Sequence, residues 1–495
     1  MPNDPRRGVS RALYDEIRAR IADGTYPAGA ALPSTRSLAL ERGLSRATVS
    51  LVHEQLAADG LIETRAGAAA RVAPGACRTN RAPAASAAPF PGRLSAFGSR
   101  VDGLVLPDTG LGDPDPVDFV YGPLAGRDFP TSAWLKALRA VEHRRPARLA
   151  YEDPRGNLAL RKALQAHLSR SRGLSCAVEQ LLIVNGSQQA LDLCTRLLVD
   201  AGDTVVVENP GYRMAHHVFE AHGARLRTVA VDDQGLRTDE LARVRDARML
   251  FVTPTHQFPL GGFLPLGRRR ALLDWAGERQ AWVIEDDYDS EYRYSVRPEP
   301  ALFSLDTRGC VLHVGTFSKT LSPQLRLGYL VLPARLVPTL AAAKRLSDRH
   351  AATGAQRALA LLLEDGSYDR HVRRIRRLQQ ARQRALVDAL RERLGPRVDI
   401  QGAASGLHIV AWFPDVPDHD EATLVEAAHR HGVRVHPIGP LYRPAARAVT
   451  PTRCAGLVMG YALLEPEAIA EGVRRLALAV KGMVRRGRGR RRVPA

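Results

Sequence analysis

Cysteine is scarce in this chain, and long apolar runs are missing from it. The five cysteines, at 77, 176, 194, 310 and 454, are odd in number, scattered and without metal-ligand spacing. That excludes a disulfide framework and points to a reducing compartment. No apolar stretch approaches the roughly 20 residues a membrane span needs. The opening MPNDPRRGVSRALYDE offers no apolar core for a signal peptide. Acidic residues are also in short supply: 52 Asp and Glu against 71 Lys and Arg give a formal net charge of +19. Such an excess favours a polyanionic partner, nucleic acid first and an acidic membrane second, although arginine-rich usage also follows genome composition. The remaining composition, 45% hydrophobic and 25% charged, is globular, and 495 residues should build two or more domains.

Near the start, Leu13, Ile17 and Ile21 fall on one helical stripe, with Ser10 as a candidate N-cap. Leu32-Pro33-Ser34-Thr35-Arg36 opens a short second helix with a serine cap. Arg42-Gly43-Leu44 turns the chain, and Ser45-Arg46-Ala47-Thr48-Val49-Ser50 begins a third helix that ends at Asp59-Gly60. A short helix, a glycine turn and a helix with a polar start form the helix-turn-helix pattern, which reads the major groove from the start of its last helix. Here those side chains are Ser45, Arg46, Thr48 and Ser50. Residues 61–65 and 71–73 read as a two-stranded wing. Periodicity alone also fits a three-helix bundle that binds no DNA. The text YDEIRARIADGTYPAGAALPSTRSLALERGLSRATVSLVHEQLAADGLIETRAG closely resembles the winged-helix domain of the GntR family of bacterial transcription regulators. The resemblance implies that Ser34, Arg36 and the start of the third helix contact operator DNA. Family wings usually turn through Gly-Ser-Gly-Thr; this chain has Gly-Ala-Ala-Ala, which leaves its wing contacts in question.

Residues 75–112 are rich in Pro, Ala, Gly and Ser and read as a linker. Beyond them, helical stretches alternate with apolar runs at 181–184, 204–207, 249–252, 281–284 and 311–314. That alternation predicts a largely parallel sheet covered by helices on both faces. Each run ends in a polar or glycine-bearing signature, where α/β sheets place their sites. Asn185-Gly186-Ser187-Gln188 offers either a phosphate-binding helix start or a plain cap. Glu208-Asn209-Pro210-Gly211-Tyr212 sets an aromatic ring at a turn, and His256 follows the 249–252 run. Glu285-Asp286-Asp287-Tyr288-Asp289-Ser290-Glu291 packs five acids into seven residues. A metal site, a solvated acidic turn and a single inward aspartate holding a pyridine proton all fit, although consecutive strand residues face opposite ways. Val314-Gly315-Thr316-Phe317-Ser318-Lys319 puts a lysine just past a strand end, with Arg326 seven residues on. A desolvated lysine amine can condense with an aldehyde, and an arginine fork suits a phosphate, the pair that pyridoxal phosphate requires. A surface lysine beside an unrelated arginine explains the pair equally well.

Taken in order, NGSQQALDL, ENPGY, TPTHQFPLGG, IEDDYDSEYRY and VGTFSKTLSPQLRLGYLVLP resemble the fold type I aminotransferases. More closely, the chain resembles the MocR-type branch of GntR regulators, which fuses a winged helix to such a domain. The resemblance implies an α/β chain. It divides into a winged helix-turn-helix (1–74), the linker (75–112), an aminotransferase-like domain with a small C-terminal subdomain (113–484) and a basic tail (485–495), the last read as disordered. It implies a pyridoxal 5′-phosphate cofactor whose internal aldimine forms on Lys319, with Asp286 at the ring nitrogen. Tyr288 and His256 lie near the phenolate oxygen, Tyr212 stacks on the ring, and Ser187, Gln188, Thr316 and Arg326 hold the phosphate. Tyr151 matches a tyrosine that reaches the other subunit's phosphate, so a homodimer is implied. Aminotransferases carry a carboxylate-binding arginine in the last strand, where this chain has Val458. The position used by some relatives after Pro-Gly-Tyr holds Met214, leaving Arg213 or Arg453 as substitutes. Three readings follow. The first is a regulator in the bacterial cytoplasm, at the nucleoid when bound to operator DNA, that senses the cofactor or a small amine or amino acid. The second is an active aminotransferase with a tethering DNA-binding domain, or one that keeps a weak half-reaction. The third is a cofactor-free dimerisation scaffold. The arginine-rich 368–392 helix reads as a solvated face or a surface near the duplex.

Overall fold

The computed structural model describes residues 5–65, 68–76, 92–106, 117–144, 150–295, 299–443 and 454–490. It divides into two compact units, Met1–Arg93 and Leu94–Ala495. In the first, helices Pro5–Ala22, Thr35–Arg42 and Arg46–Ala58 close over Leu13, Ile17, Ile21, Val49, Val52 and Leu56. The expected Ser10 cap is corrected: the first helix begins at Pro5, since proline suits a first turn where no N–H is needed. Strands Ile62–Glu63 and Arg71–Val72 pair antiparallel as a wing. Gly67, at the wing's turn, lies outside the described residues.

The second unit starts inside the expected linker. Ala96–Asp102 is a helix capped by the Ser95 hydroxyl, and Arg100 Nε donates to the Ala221 carbonyl at 2.8 Å. A helix this short is held by packing rather than by its own propensity; Phe97 lies 5.0 Å from the His222 ring. The main sheet runs Leu181–Val184, Gly328–Val331, Val311–Thr316, Trp282–Asp287, Ala247–Val252, Thr204–Asn209, Arg225–Asp232, Gly235–Leu236. The strands from Val311–Thr316 to Arg225–Asp232 are parallel neighbours. All five expected apolar runs are strands buried on both faces. Val205, Val207, Phe251 and Ile284 enter one core, and Val206, Leu250, Val252 and Val283 the other. Each such residue, fully buried, contributes about 1.5–3 kcal/mol. Sequence reading missed Gly328–Val331, which inserts antiparallel between Val311–Thr316 and Leu181–Val184 and thereby places Arg326 next to the Asn185 turn.

A smaller sheet, Asp399–Gln401, His408–Pro417, Cys454–Gly460 and His436–Pro437, is antiparallel and packs on helices Ser367–Leu394 and Pro466–Arg490. The basic run on the first of these helices is not one solvated face. Arg370, Arg373, Arg374, Arg376, Arg377 and Arg384 are exposed, whereas Arg382 is fully buried on Asp128 (2.6 Å) and Glu465 (2.9 Å). Of the tail expected to be disordered (485–495), the part up to Arg490 continues as helix, with no proline to stop it, and residues 491–495 lie outside the described residues. Among the described residues no helix is long and apolar enough to cross a membrane.

Candidate functional site

The site gathers at the carboxyl ends of the parallel strands. Lys319 follows the Val311–Thr316 strand, half-buried, and its Nζ donates to the Gly122 carbonyl at 2.8 Å. Burial lowers the Lys319 pKa, with Asp289 and Asp286 pulling it back up. Asp286 is the next-to-last residue of the neighbouring Trp282–Asp287 strand, only 5% exposed. Its Oδ1 is buried without a hydrogen-bond partner, and burial, then Asp287, pushes its carboxyl up to about 7. A carboxylate so placed asks for a donor that the described residues do not supply.

The acidic run resolves by alternation along the strand. Glu285 accepts from the Leu302 and Phe303 N–H groups and lies 3.0 Å from His313 Nδ1 and 3.7 Å from Arg269. Asp287 and Glu291 both face Arg172, at 3.5 and 2.9 Å. Among the described residues these acids are neither a solvated turn nor a converging metal set; Asp286 and Asp287 each keep an unpartnered Oδ1, but Asp287 has Arg172 beside it, whereas no ion pair among the described residues meets Asp286. Asp289, passed over in the sequence, holds His256 Nδ1 at 2.9 Å, and the same nitrogen lies 2.9 Å from the Tyr288 hydroxyl. With the Nδ1 proton shared toward the carboxylate, the Tyr288 hydroxyl keeps its own hydrogen for another acceptor. His256 thus stands behind Tyr288. Its ring is pressed so closely on Gly406 that a Cβ there would sit 2.1 Å from Cε1.

Thr316 accepts from the Ser318 N–H at 3.1 Å. Gly186, at φ 82°, precedes helix Ser187–Leu198, whose first N–H groups have no partner within the helix. Arg326 Nη2 donates to the Asn185 carbonyl at 2.8 Å, and a Cβ on Gly186 would meet that nitrogen at 2.6 Å. Arg326 itself is exposed and left-handed at φ 50°, a conformation that costs energy and clusters at binding sites. Ser187, Gln188 and Arg326 therefore gather at one turn, and Thr316 pairs with Gly328, whose other neighbour across the sheet is Val184. Tyr212 is half-buried with its ring 5.9 Å from Phe258; burial, then Asp286, pushes its hydroxyl up to about 12. Tyr121 and Phe258, 5.6 Å apart, extend this aromatic wall. Neither was visible as a site residue in sequence, nor was the Gly122 carbonyl.

Tyr151 is not in this cluster. It is 71% exposed, with the Arg349 guanidinium 4.3 Å over its ring and His350 at its edge. At the substrate side, Val458 is buried and Arg213 Nη1 is engaged by the Pro440 carbonyl at 2.9 Å. Arg453 lies outside the described residues.

In the first unit, Ser34 accepts from the Ser37 N–H and Ser45 from the Thr48 N–H, each at 3.1 Å. Both serines therefore cap helices, and Ser45 also pairs with the Thr48 hydroxyl at 2.8 Å. Arg36 and Arg46 are exposed and line one concavity with Leu40 and Leu44, and among the described residues no ion pair claims either. Ser50 is half-buried one turn further along the helix.

Comparison with known proteins finds two family models. "Bacterial regulatory proteins, gntR family" matches residues 9–72, and "Aminotransferase class I and II" matches residues 121–449. The "Probable rhizopine catabolism regulatory protein MocR" of Rhizobium meliloti is 34% identical, covering 95% of this chain and 93% of that protein. The pyridoxine biosynthesis transcriptional regulator PdxR of Corynebacterium glutamicum is 31% identical over 83% of this chain and 84% of its own length. Among solved structures, the α-aminoadipate aminotransferase LysN of Thermus thermophilus, complexed with N-(5′-phosphopyridoxyl)-L-leucine, is 31% identical with a TM-score of 0.66. The match covers 75% of this chain and 94% of that one.

Proposed function

The chain belongs to the MocR-type branch of the GntR family, in which a winged helix is joined to an aminotransferase class I and II domain, and from this premise we propose how it works. It is a pyridoxal phosphate-dependent transcription regulator. It binds operator DNA as a homodimer in the cytoplasm, at the nucleoid, and senses an amine, an amino acid or the cofactor itself. The observation that carries the reading is the combination in one chain of an exposed, capped recognition helix and a lysine in the field of a buried, unpartnered aspartate.

The residues fit the cofactor on their own chemistry. Asp286 Oδ1 lacks the donor that a protonated pyridine nitrogen would be. The Asn185–Gln188 turn, Thr316 and the Arg326 fork suit a phosphate. When bound, pyridoxal phosphate supplies an aldehyde that amines attack and a ring that draws electrons. Lys319, whose charged form burial disfavours, provides the amine. Asp286 holds a proton at the ring nitrogen, Tyr288 donates its hydroxyl hydrogen, and His256 with Asp289 fixes that tyrosine. Tyr212, Tyr121 and Phe258 keep water from the ring faces. Tyr151, exposed in the single chain, is assigned to the partner's phosphate.

An effector that takes Lys319's place changes the contacts between the large and small sheets, and differential affinity of that kind is what couples two sites. The aminotransferase alternative draws less support, since Val458 stands where the substrate carboxylate's arginine belongs. The test is fluorescence anisotropy on a selected operator fragment, with cofactor-loaded wild type and Lys319→Ala, titrated with candidate amines. Wild-type affinity is expected to change about fivefold or more, within the usual range of coupling energies, and Lys319→Ala not at all. An equal response from the variant refutes the sensor.

A further inference from the structure

One buried lysine has no part in the chemistry above. Lys344 lies on helix Val337–Asp348 with its side chain fully buried. Its Nζ donates to both Asp348 oxygens, each at 2.7 Å. Asp348 Oδ2 also accepts from Asn185 Nδ2 at 2.7 Å and Gln189 Nε2 at 2.8 Å. Gln189 Oε1 in turn takes the Asn185 N–H at 2.8 Å. Asn185 is therefore gripped by its side chain and by its N–H, and its carbonyl is the acceptor that aims Arg326 Nη2.

A tie between a helix and a sheet does not need charge. Replacing a buried ion pair by apolar groups of similar volume is often neutral or stabilising. What a charged, fully hydrogen-bonded cluster adds is direction, here a fixed Asn185 peptide plane beside Gly186, where a Cβ would displace the Arg326 fork.

We propose that Asp348, its charge held by Lys344, is a positioning residue for the phosphate end of the cofactor site, acting through Asn185 and Gln189 on the glycine turn and on Arg326. This rests on the reading of that turn as the phosphate cradle. It predicts a selective defect, because only a ligand with a phosphate uses the turn.

The experiment titrates the cofactor-free full chain with pyridoxal phosphate and, separately, with pyridoxal, following visible absorbance, in wild type and Asp348→Asn. Pyridoxal phosphate affinity is expected to fall about tenfold, the low end for loss of a group that orients a ligand-binding residue. Pyridoxal affinity should stay within about twofold by the same reasoning. Equal losses for both ligands would make Asp348 a general support of the fold and overturn the proposal; no loss for either would also overturn it. If Asp348→Asn does not fold, Gln189→Met leaves the Lys344–Asp348 pair intact and should show the same selective loss in smaller degree, and its absence counts against the proposal. A wild type that binds the two ligands equally would instead refute the phosphate reading of the turn.

Discussion

Asp286→Asn should stabilise this protein without its cofactor and weaken the cofactor's hold, two effects of opposite sign from one atom. The folded chain raises the Asp286 carboxyl from 3.8 to about 7, through burial first and the neighbouring Asp287 second. At about 1.4 kcal/mol per pH unit, ionising this group in the folded state costs about 4 kcal/mol. A carboxyl raised on folding contributes fully below pH 3.8 and loses that contribution as pH climbs through about 7. Wild type without cofactor should therefore lose stability between those values relative to Asp286→Asn, whose amide does not titrate. The amide brings an N–H2 with no partner at a site where Oδ1 already has none, a cost of about 1–3 kcal/mol. The net gain for the variant at pH 8 is then about 2 kcal/mol, shrinking to nothing or reversing near pH 4. Differential scanning fluorimetry of both cofactor-free chains from pH 4 to 9 measures this directly. Titration with pyridoxal phosphate at pH 8 measures the other half. Losing a charge-assisted hydrogen bond of about 1.5–3 kcal/mol weakens binding by roughly 10–100-fold. A variant no more stable than wild type at pH 8, or a stability difference that ignores pH, would refute the buried-charge reasoning.

Three further outcomes are expected. Lys319→Ala should lack any visible band that borohydride removes from wild type, checked by absorbance before and after reduction, while its far-ultraviolet circular dichroism stays unchanged. Arg36→Ala or Arg46→Ala, both exposed and unclaimed among the described residues, should weaken operator binding. If the lost contact is to a phosphate, each should lower the slope of log affinity against log salt by about one, read by anisotropy at several salt concentrations. Arg382→Met should destabilise the large unit by about 3–5 kcal/mol because Asp128 is left buried and unpaired. Adding Asp128→Asn should recover part of that loss in urea unfolding.

Short-range patterns in the sequence carried the architecture. Runs such as Val205-Val206-Val207 and Leu181-Leu182-Ile183-Val184, apolar at every position, can only be strands or helices covered on both faces, and glycine or proline nearby limits them to strand length. Ser34 and Ser45 mark helix starts because a hydroxyl satisfies an N–H three residues away, within the reach of local sequence. The positions of Ser187, Tyr212 and Lys319 just past strand ends were legible for the same reason. What each polar group faces was not. Asp289 and His256, 33 residues apart, Asp348 and Asn185, 163 apart, and Arg382 and Asp128, 254 apart, meet only once the strand order is set. That order includes Gly328–Val331, whose antiparallel insertion places Arg326 beside the Asn185 turn. Strand and helix periods depend on a few neighbouring residues and can be read from the chain. Whether a charge is buried, paired or left waiting for a ligand depends on the residues that the tertiary fold brings beside it.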